Sequence, residues 1–219
     1  MCNSVISNYH TWLQSFIGSI ILLLNSAQTS NKNDIWLALV MLTVTQIHVI
    51  ESIIWSYYES KNYAKANEMV KYIVPLLWLQ PLISCIAGYV VTKNNILLNL
   101  SYLYLSLMIC DTYKAFNGDV FSAELGKNNH LVWKRNGKIQ IMFNDIFGLI
   151  YFVGLFIPFL FMEDKTMRII VLILVTLTYV ILKYEYDDEL NSVWCQAAGS
   201  FSTIILLSRL TIENKLLSF

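Results

Sequence analysis

The sequence predicts an all-α integral membrane protein, a single bundle of about seven transmembrane helices over residues 1–219. Apolar residues make up 56% of the chain and charged residues only 14%, whereas a soluble domain carries roughly 25% charged residues. The charges lie mostly between the apolar runs, which is how a lipid environment sorts residues. Several runs also reach the ~20 residues that an α-helix needs to cross the bilayer.

Seven segments meet this criterion closely enough to be predicted as helices. They are residues 11–27, 35–58, 69–91, 96–113, 139–162, 168–186 and 190–210. The first is the least hydrophobic, because polar side chains interrupt it. The third contains Pro75 and Pro81, and each proline removes a backbone donor, so we expect this helix to be kinked. The sixth and seventh are so close in sequence that they predict a tight helical hairpin.

One connection, residues 114–138, is much longer than the others. Within it, Asn136-Gly137 lies between two short runs that can form strands, and Asn-Gly is typical of a two-residue type I′ hairpin. A solvated loop with one tight turn explains the segment. A functional loop is the alternative, since long loops in compact chains often carry function.

The distribution of basic residues predicts the orientation. The loops on the side of the N terminus hold nine of the fifteen Lys and Arg residues, and the opposite side holds six. Short basic loops remain in the cytoplasm, so we expect a multi-pass protein with a cytoplasmic N terminus.

The second helix has ionisable residues near its centre, at His48 and Glu51, with Gln46 close by. A charged side chain at mid-bilayer costs about 2.5–3.5 kcal/mol on insertion scales, so each one requires a reason. At 100° per residue, His48 and Glu51 lie on one face of the helix, and Gln46 projects to nearly the opposite side. The pair predicts either a proton or cation site or a polar contact that fixes helix packing.

Gln80 precedes Pro81 in the third helix, and a proline-broken helix can line a cavity. The leading hypothesis is therefore a polar intramembrane site formed by His48, Glu51 and Gln80 between the second, third and seventh helices. Asp111, Asp145 and, in the seventh helix, Gln196 are secondary candidates, as is Gln46.

Several function classes find no support in the sequence. The seventh helix contains no lysine for a retinal Schiff base, and the chain has no phosphate-binding glycine loop. His10, His48 and His130 lie on different segments, and no cysteines form a CxxC pair, so neither a metal nor another cofactor is expected. The net charge is zero, which gives no indication of nucleic-acid binding. An intramembrane aspartyl enzyme would have to use Asp111 and Asp145 at a few Å from each other, and an enzyme is the less favoured class.

Short motifs spread along the chain resemble those of a family of multi-pass membrane proteins of unknown function from giant DNA viruses and some algae. They are Met1-Cys2 with Ser4, Gln46 and Glu51 with Trp55, Gln80-Pro81, His130-Leu131 with Trp133, and Ser192 with Trp194-Cys195. The resemblance implies no activity or cofactor. It implies that Glu51, Gln80 and the loop from His130 to Trp133 are the polar features that matter.

Two functions from different classes follow as expectations. One is a transporter-like, channel-like or sensor-like protein that binds a small solute, a proton or a cation within the lipid bilayer. The other is a structural or scaffolding membrane protein, for instance of a viral inner membrane, in which the buried polar residues serve packing alone.

Overall fold

In the computed structural model, residues 4–139, 146–186 and 189–212 are described, apart from the side chains of residues 139, 146, 147, 191, 195, 196 and 210–212. These residues are mostly helical. The α-helices are α1 Val5–Thr29, α2 Lys32–Glu59, α3 Tyr63–Val70, α4 Ile73–Thr92, α5 Asn95–Asn117, α6 Ile146–Phe156, α7 Lys165–Tyr186, α8 Leu190–Gly199 and α9 Phe201–Ile212. A 3₁₀ helix, Ile157–Phe161, extends α6.

Four helical segments are long and apolar enough to cross a membrane: Lys32–Glu59, Tyr63–Thr92, Asn95–Asn117 and Lys165–Tyr186. They correspond to the second, third, fourth and sixth predicted helices. The helical class and the membrane character that the sequence predicts are thereby confirmed at this level.

The third predicted helix is two helices, since α3 ends at Val70 and α4 begins at Ile73. Pro75 lies in the first turn of α4, where backbone N–H groups have no intrahelical acceptor and a proline removes no hydrogen bond. The helix is therefore interrupted at residues 71 and 72, in the turn before Pro75, where a proline disturbs a helix. Pro81 does lie inside α4.

The long connection folds into a three-stranded antiparallel sheet of β1 Phe121–Leu125, β2 Leu131–Arg135 and β3 Lys138–Ile139, in that order. Asn136 and Gly137 have φ of 54° and 74°, and Arg135 pairs with Lys138, so the predicted hairpin is confirmed. The expected start of the fifth helix at residue 139 is wrong, because strand pairing includes Ile139 and α6 begins at Ile146.

α2 is the central helix of the bundle and packs against α1, α3, α4, α8 and α9. In its most apolar window 56% of the residues are buried, whereas in α5 and α7 only 17% are. The exposed side chains of α5 and α7 are largely apolar, for example Leu103 and Ile173. Such surfaces suit contact with lipid.

Candidate functional site

His48 and Glu51 lie on one face of α2, as their spacing predicts. Both side chains are fully buried, and His48 Nδ1 lies 3.4 Å from Glu51 Oε2. Because α2 is the central helix, this pair is shielded by its neighbours on both sides. The structure therefore places an acid and a base in contact inside the bundle.

Asn8 of α1 is the third member of this group, and sequence reasoning did not single it out. Its Oδ1 lies 3.2 Å from His48 Nδ1, and its Nδ2 donates a hydrogen bond to the Ser4 carbonyl at 3.1 Å. That second bond fixes the orientation of the Asn8 amide, because the flipped amide would place its oxygen against the Ser4 carbonyl oxygen. Asn8 thus presents an acceptor to the imidazole.

The first turn of α1 is held by an N-cap at Ser4, and this cap holds the position of Asn8 in that turn. Ser4 is the N-cap, and its side chain accepts a hydrogen bond from the Ser7 backbone N–H at 3.2 Å. Serine is a favoured N-cap because it satisfies one of the donors left open at a helix start.

The other side of the imidazole faces α8. A Cβ built on Gly199 would lie 3.1 Å from His48 Nε2 and 2.5 Å from Thr11 Cγ2. The glycine therefore allows the backbone of α8 to approach α1 and the histidine ring more closely than any other residue would.

Neither carboxylate oxygen of Glu51 has a hydrogen-bond partner among the groups that the structure describes. A buried polar group without a partner costs about 1–3 kcal/mol, and more if it is charged. Proximity to His48 is the compensation that the described residues supply. Within the described residues, Glu51 is thus a buried acid that accepts no hydrogen bond.

Gln80 lies elsewhere. It is buried in α4 and accepts a hydrogen bond from the Tyr151 hydroxyl of α6. Ser84, one turn along, donates to the Leu155 carbonyl at 3.0 Å, so this face of α4 packs against α6. Among the described residues, no hydrogen bond or ion pair joins Gln80 to His48 or Glu51. The expected three-residue grouping is therefore not formed by direct contacts, and α1 supplies the third residue instead.

The secondary candidates are engaged in other ways. Gln46 donates to the Leu42 carbonyl of its own helix at 2.8 Å. Asp111 accepts from Trp78 Nε1 and pairs with Arg135, each at 2.8 Å. Asp145 lies outside the described residues, so the Asp111–Asp145 hypothesis stays untested. Gln196 belongs to α8, but its side chain is not described.

Arg135 joins the sheet to the end of α5, because it pairs with both Asp111 and Asp119. Burial raises the pKa of Asp119, but hydrogen bonds from Asn136 and Arg135 and the charges of Arg135 and Lys114 outweigh it and hold that pKa below its usual value. Burial lowers the pKa of Arg135, yet the two aspartates outweigh it and raise that pKa. Both ionised forms are therefore stabilised.

A second buried charge cluster, which the sequence analysis missed, joins α9 to α2. Arg209 is fully buried, and its Nε and Nη2 donate to Asp34 Oδ1 at 3.0 and 2.6 Å. Its Nη1 donates to Asp164 at 2.7 Å. Asn25 of α1 donates to the other Asp34 oxygen at 2.6 Å. In the sequence, each of these charged residues lies near a helix end, and no pattern indicates that they pair with one another.

The loop motif packs against the α7–α8 connection. His130 is buried and meets Tyr186 edge-on, with ring centroids 5.5 Å apart. Glu189, also buried, accepts a hydrogen bond from the Asn128 backbone N–H at 2.8 Å. A cavity of about 340 Å³ lies between these segments. The motif therefore serves docking of the sheet in this structure.

Over the described ranges, no three His, Cys, Asp or Glu side chains come together as metal ligands. Comparison with protein-family models, with curated proteins and with solved structures gave no match. The resemblance to viral and algal membrane proteins stays a prediction.

Proposed function

We propose that the chain is a transporter-like, channel-like or sensor-like membrane protein whose binding centre is the His48–Glu51 pair. The observation that carries this proposal is the state of Glu51. Its side chain is fully buried, it lies in a helix long enough to cross a membrane, and neither oxygen is hydrogen-bonded within the described part of the chain. Ionisable residues kept at such a cost inside a membrane typically mark ion or proton pathways.

The proposal includes seven crossings: α1, α2, α3 with α4, α5, α6 with its 3₁₀ extension, α7, and α8 with α9. Contacts at the two ends support it. Asn67 and Glu189 meet the sheet region at one end. Asp34, Asp164 and Arg209 meet at the other. The excess of basic residues on the sheet side favours a cytoplasmic location for that end and for the N terminus.

The test compares wild-type protein with Glu51→Gln in reconstituted vesicles. Fluxes of protons, Na⁺, K⁺ and choline are measured under an imposed membrane potential. We expect Glu51→Gln to reduce the flux of one of these ions at least tenfold at equal protein content. Glu68→Gln is the matched control, because it removes an exposed carboxylate of α3, and it should keep wild-type flux.

Thermal stability of the same variants separates a site from a packing contact. A residue held for function is often retained at some cost in stability, so Glu51→Gln should leave the melting temperature unchanged or raise it. Loss of stability with no change in any flux would contradict the proposal.

A scaffolding protein is the alternative, and close helix packing favours it. A Cβ on Gly18 would lie 2.6 Å from Ser202 Oγ, and one on Gly88 would lie 2.6 Å from the Trp36 ring. Small residues at such contacts are typical of tightly packed membrane helices. In a scaffold, Glu51→Gln should either change the thermal stability or have no measurable effect.

A further inference from the structure

We propose that the cavity between the sheet and the α7–α8 connection is a binding site for a small organic cation, an amine with a compact apolar body. This inference goes beyond the proposed function, because the cavity lies against the β1–β2 hairpin and not at the His48–Glu51 pair. Three features of the structure support it: the residues that border the cavity, the state of Glu189, and the excess of acidic side chains in the lining.

The cavity has a volume of about 340 Å³ and is bordered on one side by a face of the hairpin. In the β1–β2 pairing Glu124 lies opposite Val132, and Lys134 follows Val132 by two residues, so these three side chains project from the same face. The last two residues of α7 and Glu189 form the other side. Sites for small molecules have volumes of about 300–1,000 Å³, so this cavity suits a compact ligand.

Glu189 is the buried acid of this lining, with only 3% of the residue exposed. Its Oε1 accepts a hydrogen bond from the Asn128 backbone N–H at 2.8 Å. A Cβ on Gly126 would overlap the carboxyl group, so the glycine lets the hairpin turn close on it. Glu189 Oε2 has no hydrogen-bond partner among the described residues. A buried acceptor without a partner is costly, and a ligand that carries N–H donors would supply one.

The lining contains more acidic than basic side chains, since Glu124, Glu185 and Glu189 stand against Lys127 and Lys134. Lys134 already pairs with Glu124 at 2.5 Å. Within the described ranges, Glu185 and Glu189 take part in no ion pair. These two acids therefore attract a positively charged group into the cavity, whereas an anion would be repelled by them.

The rest of the lining favours an organic amine over a metal ion. Leu125 and Val132 of the hairpin and Tyr186 of α7 border the cavity and offer apolar surface to the body of a ligand. A tyrosine ring also attracts an organic cation to its face. In the part of the chain that the structure describes, no three His, Cys, Asp or Glu side chains come together as metal ligands. The three glutamates of the cavity are therefore not grouped around one point.

Isothermal titration calorimetry on the detergent-solubilised full chain tests the site, with the heat of titration into empty micelles subtracted. The four probes share a phenylethyl body and differ in charge. Phenethylamine is a cation, 2-phenylethanol is neutral, 3-phenylpropionate is an anion and phenylalanine is a zwitterion. We expect saturable binding of phenethylamine and at least tenfold weaker binding of the other three, because hydrogen bonds between charged groups are about twice as strong as neutral ones.

Substitutions of the two acids test where phenethylamine binds. Glu189→Gln keeps an acceptor for the Asn128 N–H and should weaken binding at least tenfold. Glu185→Gln changes an exposed side chain, so it should fold normally and weaken binding severalfold. Glu59→Gln is the matched control, because Glu59 is exposed at the end of α2 and does not border the cavity, and it should keep wild-type affinity.

Three results would overturn the proposal, and none of them depends on ion flux. The first is the absence of saturable phenethylamine binding to the wild-type protein. The second is equal or tighter binding of any of the other three probes, which would mean that the cavity does not select a cation. The third is wild-type affinity in both Glu189→Gln and Glu185→Gln. If Glu189→Gln does not fold, Leu125→Trp replaces it, since a larger side chain at this partly exposed position should fill the cavity and abolish binding.

Discussion

Replacing Arg209 with methionine should destabilise the protein severely, because this guanidinium is the centre of the buried cluster with Asp34 and Asp164. Arg209 and Asp34 have side-chain exposures of 1% and 0%. Methionine has a similar length and removes the charge and all donors. Asp34 would keep its negative charge in the bundle without the guanidinium that neutralises it.

The magnitude follows from the geometry. Breaking a buried ion pair by removing one partner typically costs about 3–5 kcal/mol, which lowers the folding equilibrium constant by roughly two to nearly four orders of magnitude. The control variant is Lys134→Met, which breaks the ion pair between Lys134 and Glu124. The side chains of that pair are 25% and 53% exposed. Exposed pairs contribute about 0.2–1 kcal/mol.

The assay is reversible unfolding in mixed micelles, with the free energy of unfolding measured for both variants and for Arg209→Met combined with Asp34→Leu. The double variant should recover part of the lost stability, because replacing both Arg209 and Asp34 by apolar residues leaves no charge of that pair buried, whereas Asp164 is 17% exposed and can be solvated. Equal losses in Arg209→Met and Lys134→Met, or a double variant less stable than Arg209→Met alone, would refute the reasoning.

Three other predictions concern the sheet, the helix contacts and the orientation. Because the pKa of Asp119 is lowered in the folded protein, its stabilisation is complete above the ordinary Asp value of about 3.9 and is lost as the pH falls through the folded pKa. Acid unfolding curves of Asp119→Asn should lack that part of the pH dependence. Gly18→Ala should cost about 1–3 kcal/mol through overpacking against Ser202, whereas Gly118→Ala, with its nearest neighbour at 3.9 Å, should be close to neutral in the same unfolding assay. In a variant without the four native cysteines, Lys127→Cys should be protected from an impermeant thiol reagent in intact cells, and labelling there would reverse the proposed orientation.

The helices and the sheet turn were predictable because they depend on local signals. Apolar runs of bilayer length define α2, α4, α5 and α7, and Asn136-Gly137 defines the hairpin through its positive φ angles. The sequence predicted a disturbance near Pro75 but not a complete break between α3 and α4, because a proline is compatible both with a kink inside one helix and with the first turn of a new helix.

The candidate site was predictable to the extent that it lies on one helix. His48 and Glu51 are three residues apart, so helical periodicity places them together. Asn8 lies 40 residues from His48 in sequence, and Arg209 lies 175 residues from Asp34. Such pairings depend on which helices become neighbours, and no periodicity in a single sequence encodes that. The hydrogen bond between Gln80 and Tyr151, 71 residues apart in sequence, could not be predicted for the same reason.

The contrast between the two buried charge groups is the strongest argument for a function at Glu51. Asp34 accepts hydrogen bonds on both oxygens, from Arg209 and from Asn25, which is how a carboxylate that stabilises packing is expected to be satisfied. Glu51 is as deeply buried, yet neither of its oxygens has a hydrogen-bond partner in the described chain. Apart from its 3.4 Å approach to His48, the Glu51 carboxyl group therefore contributes less to helix packing than Asp34 does, which is why the proposed binding centre is placed at Glu51 and not at Asp34.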